Sequence, residues 1–520
     1  MRSPRAPALG VSLCVASVGV ASAQTTYDFR GSVETDLRLA LPGKPPPSGP
    51  NGQAEKWRFE RVDNTARFGL TGSSGQTRGV FDLAFVHHGF GKPNDLDSLQ
   101  TRDQSDPFTF ESDALYVDIS DFAVERLDLR IGRQIVQWGS ADRFNPTSVI
   151  NPLDLEDPIK FGDRVANEML VLSYTAPWTV EGDDLTLFDE LTFTLVGVPL
   201  HRTGQYPGSA SQVFTDPDLF VNFVDSAQLR NFAGIQKDFI ELGGTFDYST
   251  EVETPAAALK NAQFAGRVSM IVAGVDLGFM YYQGYSDVLR PIRVEGLLPE
   301  GASAFLGELD LSDPNSVNAL RDTLGVLKES GVEAPLSTLG PIGIHAVLGF
   351  PEVKVVGFDA ATSLDFIGGL GLWVEAALTM HDAQDLIIDF GDPASKERLL
   401  EEGRFWKVAA GTDYSILSWW YLNVQYLHGF VDEFGTDNMN DYVVAGSDLK
   451  FFSEQLTMRL FGIYQMQDQS HVIYPALMGR FWPNTELTLG AFIMRGEDDS
   501  KFGSVAAGAN QLFFTGKYSY

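Results

Sequence analysis

The sequence predicts an all-β fold: a transmembrane antiparallel β-barrel of about 18 strands whose long outer loops carry short helices. A count of about 16 stays open, because strand boundaries read from one sequence err by several residues. Three observations predict this class. Segments of alternating apolar and polar residues, long enough to cross a membrane at a tilt, recur along the chain; very short and long connections alternate between them; and the last segment alternates up to an aromatic carboxyl terminus.

The chain opens with Arg2 and Arg5, the apolar run "ALGVSLCVASVGV" and the small residues Ala21-Ser22-Ala23. This is the pattern of a secretory signal peptide over residues 1–23, with the barrel occupying 24–520. Leu13 before Cys14 is a poor match to a lipoprotein signal, which takes a small residue there. Cys14 is the only cysteine, so the mature chain is expected to form no disulfide. A formal net charge of −31 argues against nucleic acid as a partner, because phosphate binding needs a basic face. The longest uncharged stretch after the signal, 334–351, is interrupted by Pro335, Pro341 and Pro351, which excludes a spanning helix.

The first expected strand, "YDFRGSVETDLRLAL", puts Tyr27, Phe29, Val33, Leu37, Leu39 and Leu41 on one face. The opposite face carries Asp28, Arg30, Glu34, Asp36 and Arg38. A tilted membrane strand needs roughly 9–11 residues to cross the hydrocarbon, and this one is long enough. The same period of two runs through "ELTFTLVG" before 198, "RVSMIVAGVDLGFMYYQGY" from 267, "LGLWVEAALTM" from 370, "WWYLNVQYLHGF" from 419, "QLTMRLFGIYQMQ" from 455 and "TELTLGAFIMRG" from 485. Tight turns are expected at Ala273-Gly274, Ser453-Glu454 and Pro483-Asn484. Residues 42–56, 88–108, 139–167, 198–261, 287–350 and 384–403 form long connections rich in Pro, Gly, Asp and Asn. Short periplasmic turns and long outer loops are the habit of outer-membrane barrels. Treating 198–261 as one elaborated loop keeps the strand count even, whereas promoting 238–249 to a wall strand does not. The final "NQLFFTGKYSY" sets Leu512, Phe514, Tyr518 and Tyr520 on one face, like the terminal signal read by the barrel assembly machinery.

The stretch "IGRQIVQWGSADRFNPTSVINPLDLEDP" (131–158) turns from strand to loop. The strand "RLDLRIGRQIVQWG" would aim Leu127, Leu129, Ile131 and Ile135 at lipid and Asp128, Arg130 and Gln134 at the lumen. Trp138 would then reach the outer interfacial belt. Asn145 and Asn151 are each held extended by the following proline, and Asp142, Arg143, Asp154, Glu156, Asp157 and Lys160 supply both charges. The expectation is a loop folded against or into the barrel mouth, with Arg133, Gln134, Trp138, Asp142, Arg143, Asn145, Asn151 and Asp154 as candidate constriction residues. The alternative is a rigid cap that blunts the rim.

The pattern Gly132-Arg133-Gln134, Trp138-Gly139, Asp142, Asn145-Pro146, Asn151-Pro152 and Asp154 resembles the motif of a group of proteobacterial outer-membrane barrels of mostly unassigned function, similar in plan to alginate-export porins. The segment 261–291, with its Tyr-x-Gly-Tyr, resembles that group's middle strand pair. The resemblance implies an outer-membrane channel or transporter passing a hydrophobic or amphiphilic small molecule or a lipid. It also implies an association with inner-membrane lipid transporters of the resistance-nodulation-division (RND/MMPL) type; contact with outer-membrane lipid and lipopolysaccharide is expected of the barrel itself. The alternatives are a general porin for small polar solutes and a secreted β-sandwich or surface adhesion protein.

Residues 313–331 read as an amphipathic helix with Asp313 as N-cap, Pro314 at the first helical position and Val317, Leu320, Leu324 and Leu327 on one face. A second helical patch, 218–232, aligns Phe220, Phe223, Val224 and Ala227. Lumen charges Asp28, Arg30, Glu34, Asp36, Arg38, Arg67, Asp128 and Arg130 either select permeants or satisfy one another. The acidic clusters 183–184, 401–402, 432–433 and 497–499 lack calcium-loop spacing. No metal site, cofactor or catalytic residue is expected, for the chain has no nucleophile elbow, zinc-helix motif or phosphate loop.

Overall fold

The computed structural model describes residues 25–41, 57–91, 98–182, 186–207, 226–297, 311–329, 340–390, 394–504 and 507–520. The expected signal peptide (1–23), residues 42–56, the acidic pair 183–184 and Phe220, Phe223 and Val224 lie outside the described residues.

Strands β1 (Thr26–Ala40), β2 (Arg58–Ser74) and β3 (Thr77–His88) form successive antiparallel neighbours. β4 (Phe108–Glu111) and β5 (Leu115–Ile119) both pair with β3 and make one interrupted wall. β6 (Leu127–Gln134) follows. β7 (Asn167–Thr175) and β8 (Val180–Glu181) form a second interrupted wall against β9 (Thr186–Val198). After β10 (Phe246–Glu253), which leaves the wall, come β11 (Gln263–Val272) and β12 (Val275–Tyr285). β13 (Arg290–Leu297) and β14 (Ile342–Gly349) again lie outside the wall, and β15 (Glu352–Leu364) and β16 (Leu370–His381) rejoin it. Past β17 (Gln384–Asp389) and β18 (Ser395–Leu400), the wall runs on through β19 (Gly403–Leu417), β20 (Trp420–His428), β21 (Asp441–Phe451), β22 (Leu456–Gln465), β23 (His471–Trp482), β24 (Thr485–Arg495) and β25 (Gln511–Ser519).

Pairing of β1 with β25, from Ser32↔Ser519 to Ala40↔Gln511, closes the sheet, so the protein is an 18-stranded antiparallel barrel. Closure leaves no unpaired sheet edge, which the hydrocarbon would penalise heavily. Ala273-Gly274 and Pro483-Asn484 are the expected tight turns; Ala273 and Gly274 are both at positive φ, the geometry that matches strand twist in two-residue hairpins, while Asn484 alone is at positive φ after the proline. Phe29, Val117, Ile131, Leu195, Phe264, Phe279, Leu460 and Leu489 point away from the lumen and are exposed. Trp419, Phe481, Trp482, Tyr518 and Tyr520 are exposed near the short-turn end. An apolar band edged with aromatics is the surface of a barrel that sits in the outer membrane.

The long connections do more than carry helices. β10, β14, β13, β17 and β18 form a separate five-stranded mixed sheet, with parallel pairings β10–β14 and β13–β17. Helices Ala227–Glu241 and Pro314–Glu329 pack against it. Leu229, Phe232, Ile235 and Phe239 meet Val317, Leu320 and Leu324 over Val294, Ile342, Ile344, Leu386 and Ile388. The helix expected at 313–331 is therefore present, and Asp313 caps it by accepting from the Asn315 amide at 2.9 Å. Its apolar face packs on β13 and β14 of its own connection and, beyond them, on the first helix and β17 of the same cap.

Candidate functional site: a loop folded across the lumen

β6 ends at Gln134, earlier than the expected run to Trp138. Gly132 has φ 131°, and a Cβ there would collide with the Leu115 carbonyl. The chain then leaves the wall and turns inward. The neck of the resulting loop is sewn by Asn151, whose Oδ1 accepts from the Val136 amide at 2.7 Å while its Nδ2 donates to the Gln134 and Val165 carbonyls at 3.1 and 3.0 Å. The sequence reading gave Asn151 an extended backbone; its amide side chain is what holds the two ends together.

Inside the lumen the loop is anchored on Glu375 of β16, which is fully buried. Its carboxylate accepts from the Ala141 amide, from Asn145 Nδ2 at 3.0 Å, and from the Thr147 hydroxyl and amide at 2.9 and 3.4 Å. Gly139, at φ 95°, lies so close to this carboxylate that a Cβ would overlap it. Gln425 on β20 accepts from the Asp142 amide at 3.3 Å and from Trp373 Nε1 at 3.2 Å. On the opposite side Arg38 of β1 is gripped between Asp36 and Asp157, each at 2.5 Å, and Arg61 of β2 pairs with Glu156.

Apolar contacts complete the crossing. Trp138 is 7 % exposed and packs with Ile150 against Met169, Val196, Ala265 and Met280. It does not reach the interfacial belt, because the strand stops before it and the loop carries the indole into the lumen, under the Arg267 guanidinium at 5.9 Å. Phe144 stacks on Phe161 at 4.8 Å and meets Phe430 at 5.3 Å. The loop thus reaches β1, β2, β7, β9, β11, β12, β16 and β20.

The remaining candidates divide. Gln134 is buried and donates to the Gly132 and Met169 carbonyls, both at 3.3 Å. Asn145 bridges Glu375 and the Ala141 carbonyl, the latter at 2.6 Å. Asp154 lies beside Gln205 in an isolated bridge and accepts from the Glu156 amide at 3.1 Å. Asp142 and Arg143 are exposed, Arg143 at φ 65°. Arg133 is separated from the others: it shares the parity of lipid-facing Ile131, which alternation along a strand requires, and it pairs with Glu168 at 3.1 Å.

Of the charges assigned to the lumen, Asp36 and Arg38 belong to the loop anchor. Arg67 pairs with Asp82 at 2.8 Å and with Asp113 at 2.5 Å. Arg130 reaches Asp118 at 3.4 Å and Glu34 reaches Lys517 at 3.6 Å, and Asp128 accepts from the Asp121 amide at 3.1 Å. Asp28 and Arg30 are exposed near the strand's start.

Between the loop and strands β12, β15, β16, β19 and β20 lies a cavity of about 100 Å³. Its wall side is Tyr282, Val353, Val355, Ala377, Phe405 and Leu427; Ser148, Arg164, Asp287 and Lys407 also line it. Sequence reasoning passed over Glu375 and all four of these polar residues. Glu375 had a signal, as the one charged residue in "LGLWVEAALTM"; the others had none.

No family model matches the sequence, and no curated protein is significantly similar to it. Among solved structures, the chain is similar to OccAB1 of Acinetobacter baumannii at 8 % identity and TM-score 0.44, covering 95 % of this chain and 96 % of that one. It is likewise similar to OmpF of Salmonella typhi, solved with daunomycin, at 9 % identity and TM-score 0.37, covering 95 % and 97 %. For the trimer form of the outer-membrane protein OmpT of Vibrio cholerae the values are 8 %, 0.34, 95 % and 99 %. The strand pairing and apolar band of this chain are what make it an outer-membrane β-barrel.

Proposed function

We propose that the barrel is an outer-membrane channel for hydrophobic or amphiphilic small molecules, lipids included, with the 135–166 loop as its plug. The observation that carries this reading is the lining of the cavity beneath the plug. Most of the lumen-facing positions that five neighbouring wall strands give this lining, Tyr282, Val353, Val355, Ala377, Phe405 and Leu427 beside Thr379 and Lys407, are apolar or aromatic, whereas a water-filled porin keeps such positions polar. Ligand sites are mostly apolar with a few placed polar groups, and this lining has that character.

One observation favours the general-porin reading. Other lumen positions carry paired charges, among them Arg267–Asp359 at 2.9 Å and Arg459–Asp448 at 2.6 Å, which suit a hydrated vestibule. Proteoliposomes separate the two readings. Flux of a neutral apolar dye above that of protein-free vesicles, with little swelling in small sugars, is the expected result. Sugar swelling without dye flux would establish the porin reading instead.

A further inference from the structure

The cavity beneath the plug holds two cations without counterions in contact. Arg164 donates through Nη1 to the Asn151 carbonyl at 3.0 Å, and its Nε, sealed from solvent, has no partner. Lys407 donates to the Val431 carbonyl at 3.1 Å. Neither makes an ion pair among the described residues. Ser148 is 2 % exposed and its hydroxyl has no partner either. All three side chains line the same space.

Unpaired charge away from bulk water is costly, and an unsatisfied buried donor adds to that cost. The carboxylates nearby do not remove it. Asp287 lines the cavity but is outside ion-pair distance of both cations, and Asp432 and Glu433 are engaged by Lys501 at 2.6 and 3.7 Å. Tyr282 is committed to Gln263 at 2.6 Å and to the Tyr285 carbonyl at 3.0 Å. An oxyanion with several acceptor lone pairs would satisfy a guanidinium, an ammonium and a hydroxyl together. The wall residues Val353, Val355, Ala377, Phe405 and Leu427 offer such a group no polar contact and suit a hydrocarbon, while Asn145, Ser286 and Thr379 add a few polar atoms to the lining.

We propose that this cavity binds the anionic headgroup of an amphiphile, a carboxylate or phosphate monoester carrying an apolar tail, between Arg164, Lys407 and Ser148. The inference rests on the channel reading above and adds the charge of its substrate. A cavity of about 100 Å³ has room for a headgroup and the start of a tail. The remainder of a longer tail must leave along the apolar wall, which places the site on a path through the lumen rather than in a closed store.

The test uses the full mature protein in nanodiscs, with binding measured by calorimetry for octanoate, octyl phosphate, octanol, acetate and inorganic phosphate. Octanoate and octyl phosphate are expected to bind on the order of tenfold or more tighter than octanol or the small anions. Arg164→Gln and Lys407→Gln should each weaken octanoate by a similar factor and leave octanol unchanged, and Ser148→Ala should act in the same direction more weakly. Octanol binding as well as octanoate overturns the proposal, and so does octanoate binding unchanged in both charge variants. Inorganic phosphate matching octyl phosphate would show a free-anion site in place of an amphiphile site. Heat-modifiable gel mobility confirms folding of each variant, and either charge variant alone suffices. Dye flux in the same preparations separates the two levels: flux without anion preference removes only this inference, while no flux beside a measured headgroup site removes only the channel reading.

Discussion

Thr147 and Glu375 stand 228 positions apart in sequence, yet the Thr147 hydroxyl donates to the buried Glu375 carboxylate at 2.9 Å. This contact, with those from Ala141 and Asn145, ties the tip of the loop to the wall. Hydrogen bonds to a charged acceptor contribute about 1.5–3 kcal/mol each. Glu375→Ala should therefore release the tip while the barrel still assembles. The expected outcome is faster amide exchange over residues 139–150 and larger or more frequent single-channel openings. Unchanged exchange and conductance would show that the tip is held elsewhere.

Trp138 and Asp142 should behave differently from each other. Trp138 fills a packed cluster, and truncating a buried aromatic costs about 3–5 kcal/mol. Trp138→Ala should loosen the plug and raise passage. Asp142 exposes its side chain, so Asp142→Ala should leave thermal stability unaltered and shift the ion selectivity of any open state. Recordings at matched folded fraction read both effects.

Removing Arg38 strands Asp36 and Asp157 near each other, with Arg61 at 3.6 Å from Asp157 as partial compensation. Breaking a buried ion pair from one side costs about 3–5 kcal/mol. Arg38→Met should lower the unfolding temperature in detergent. The triple change Arg38→Met, Asp36→Asn, Asp157→Asn should recover most of the loss, because the stranded charges go with it. A triple variant as unstable as the single one would point to lost packing.

Asp287 follows the end of β12, and burial pushes its carboxyl up to about 6 against the opposing pull of Arg164 and Lys407. An acid with a raised folded pKa favours the fold when protonated, so its contribution is fully present below about pH 4 and is lost as pH rises through about 6. Asp287→Asn fixes the neutral form. The stability gained over wild type should be near zero at pH 4 and grow to at most about 2–3 kcal/mol above pH 7. A gain that does not vary with pH would assign the effect to packing.

The wall was legible because a strand half in lipid and half in water must alternate, as "NQLFFTGKYSY" does against "YDFRGSVETDLRLAL" across the β1–β25 seam. The plug was half legible. Proline after Asn145 and Asn151 marked an ordered loop, but carrying the strand past Gln134 set Trp138 at the height of the interfacial belt, although its parity is that of lumen-facing Gln134. Gly132 and Gly139 were the available warnings of a turn away from the wall. Glu375 could be suspected as a lone charge in its strand, although its loop partners could not be named, since period and spacing say nothing about contacts more than 200 residues apart. The cap sheet was missed for the same reason: β10 pairs in parallel with β14, and β13 with β17, pairings that no local hairpin signal announces.

That cap draws on three consecutive outer connections, between β9 and β11, between β12 and β15, and between β16 and β19. It therefore acts as a clasp across six adjacent staves of the barrel. Its sheet is complete only with β17 and β18, the last of its pieces in chain order, so the part made by β10, β14 and β13 has its full set of partners only once 384–400 has joined it. Once shut, the clasp stiffens the arc from β9 to β19. Breathing of the wall is then left to the arc that contains the β1–β25 seam, where the Arg38 grip ties the first stave to the plug.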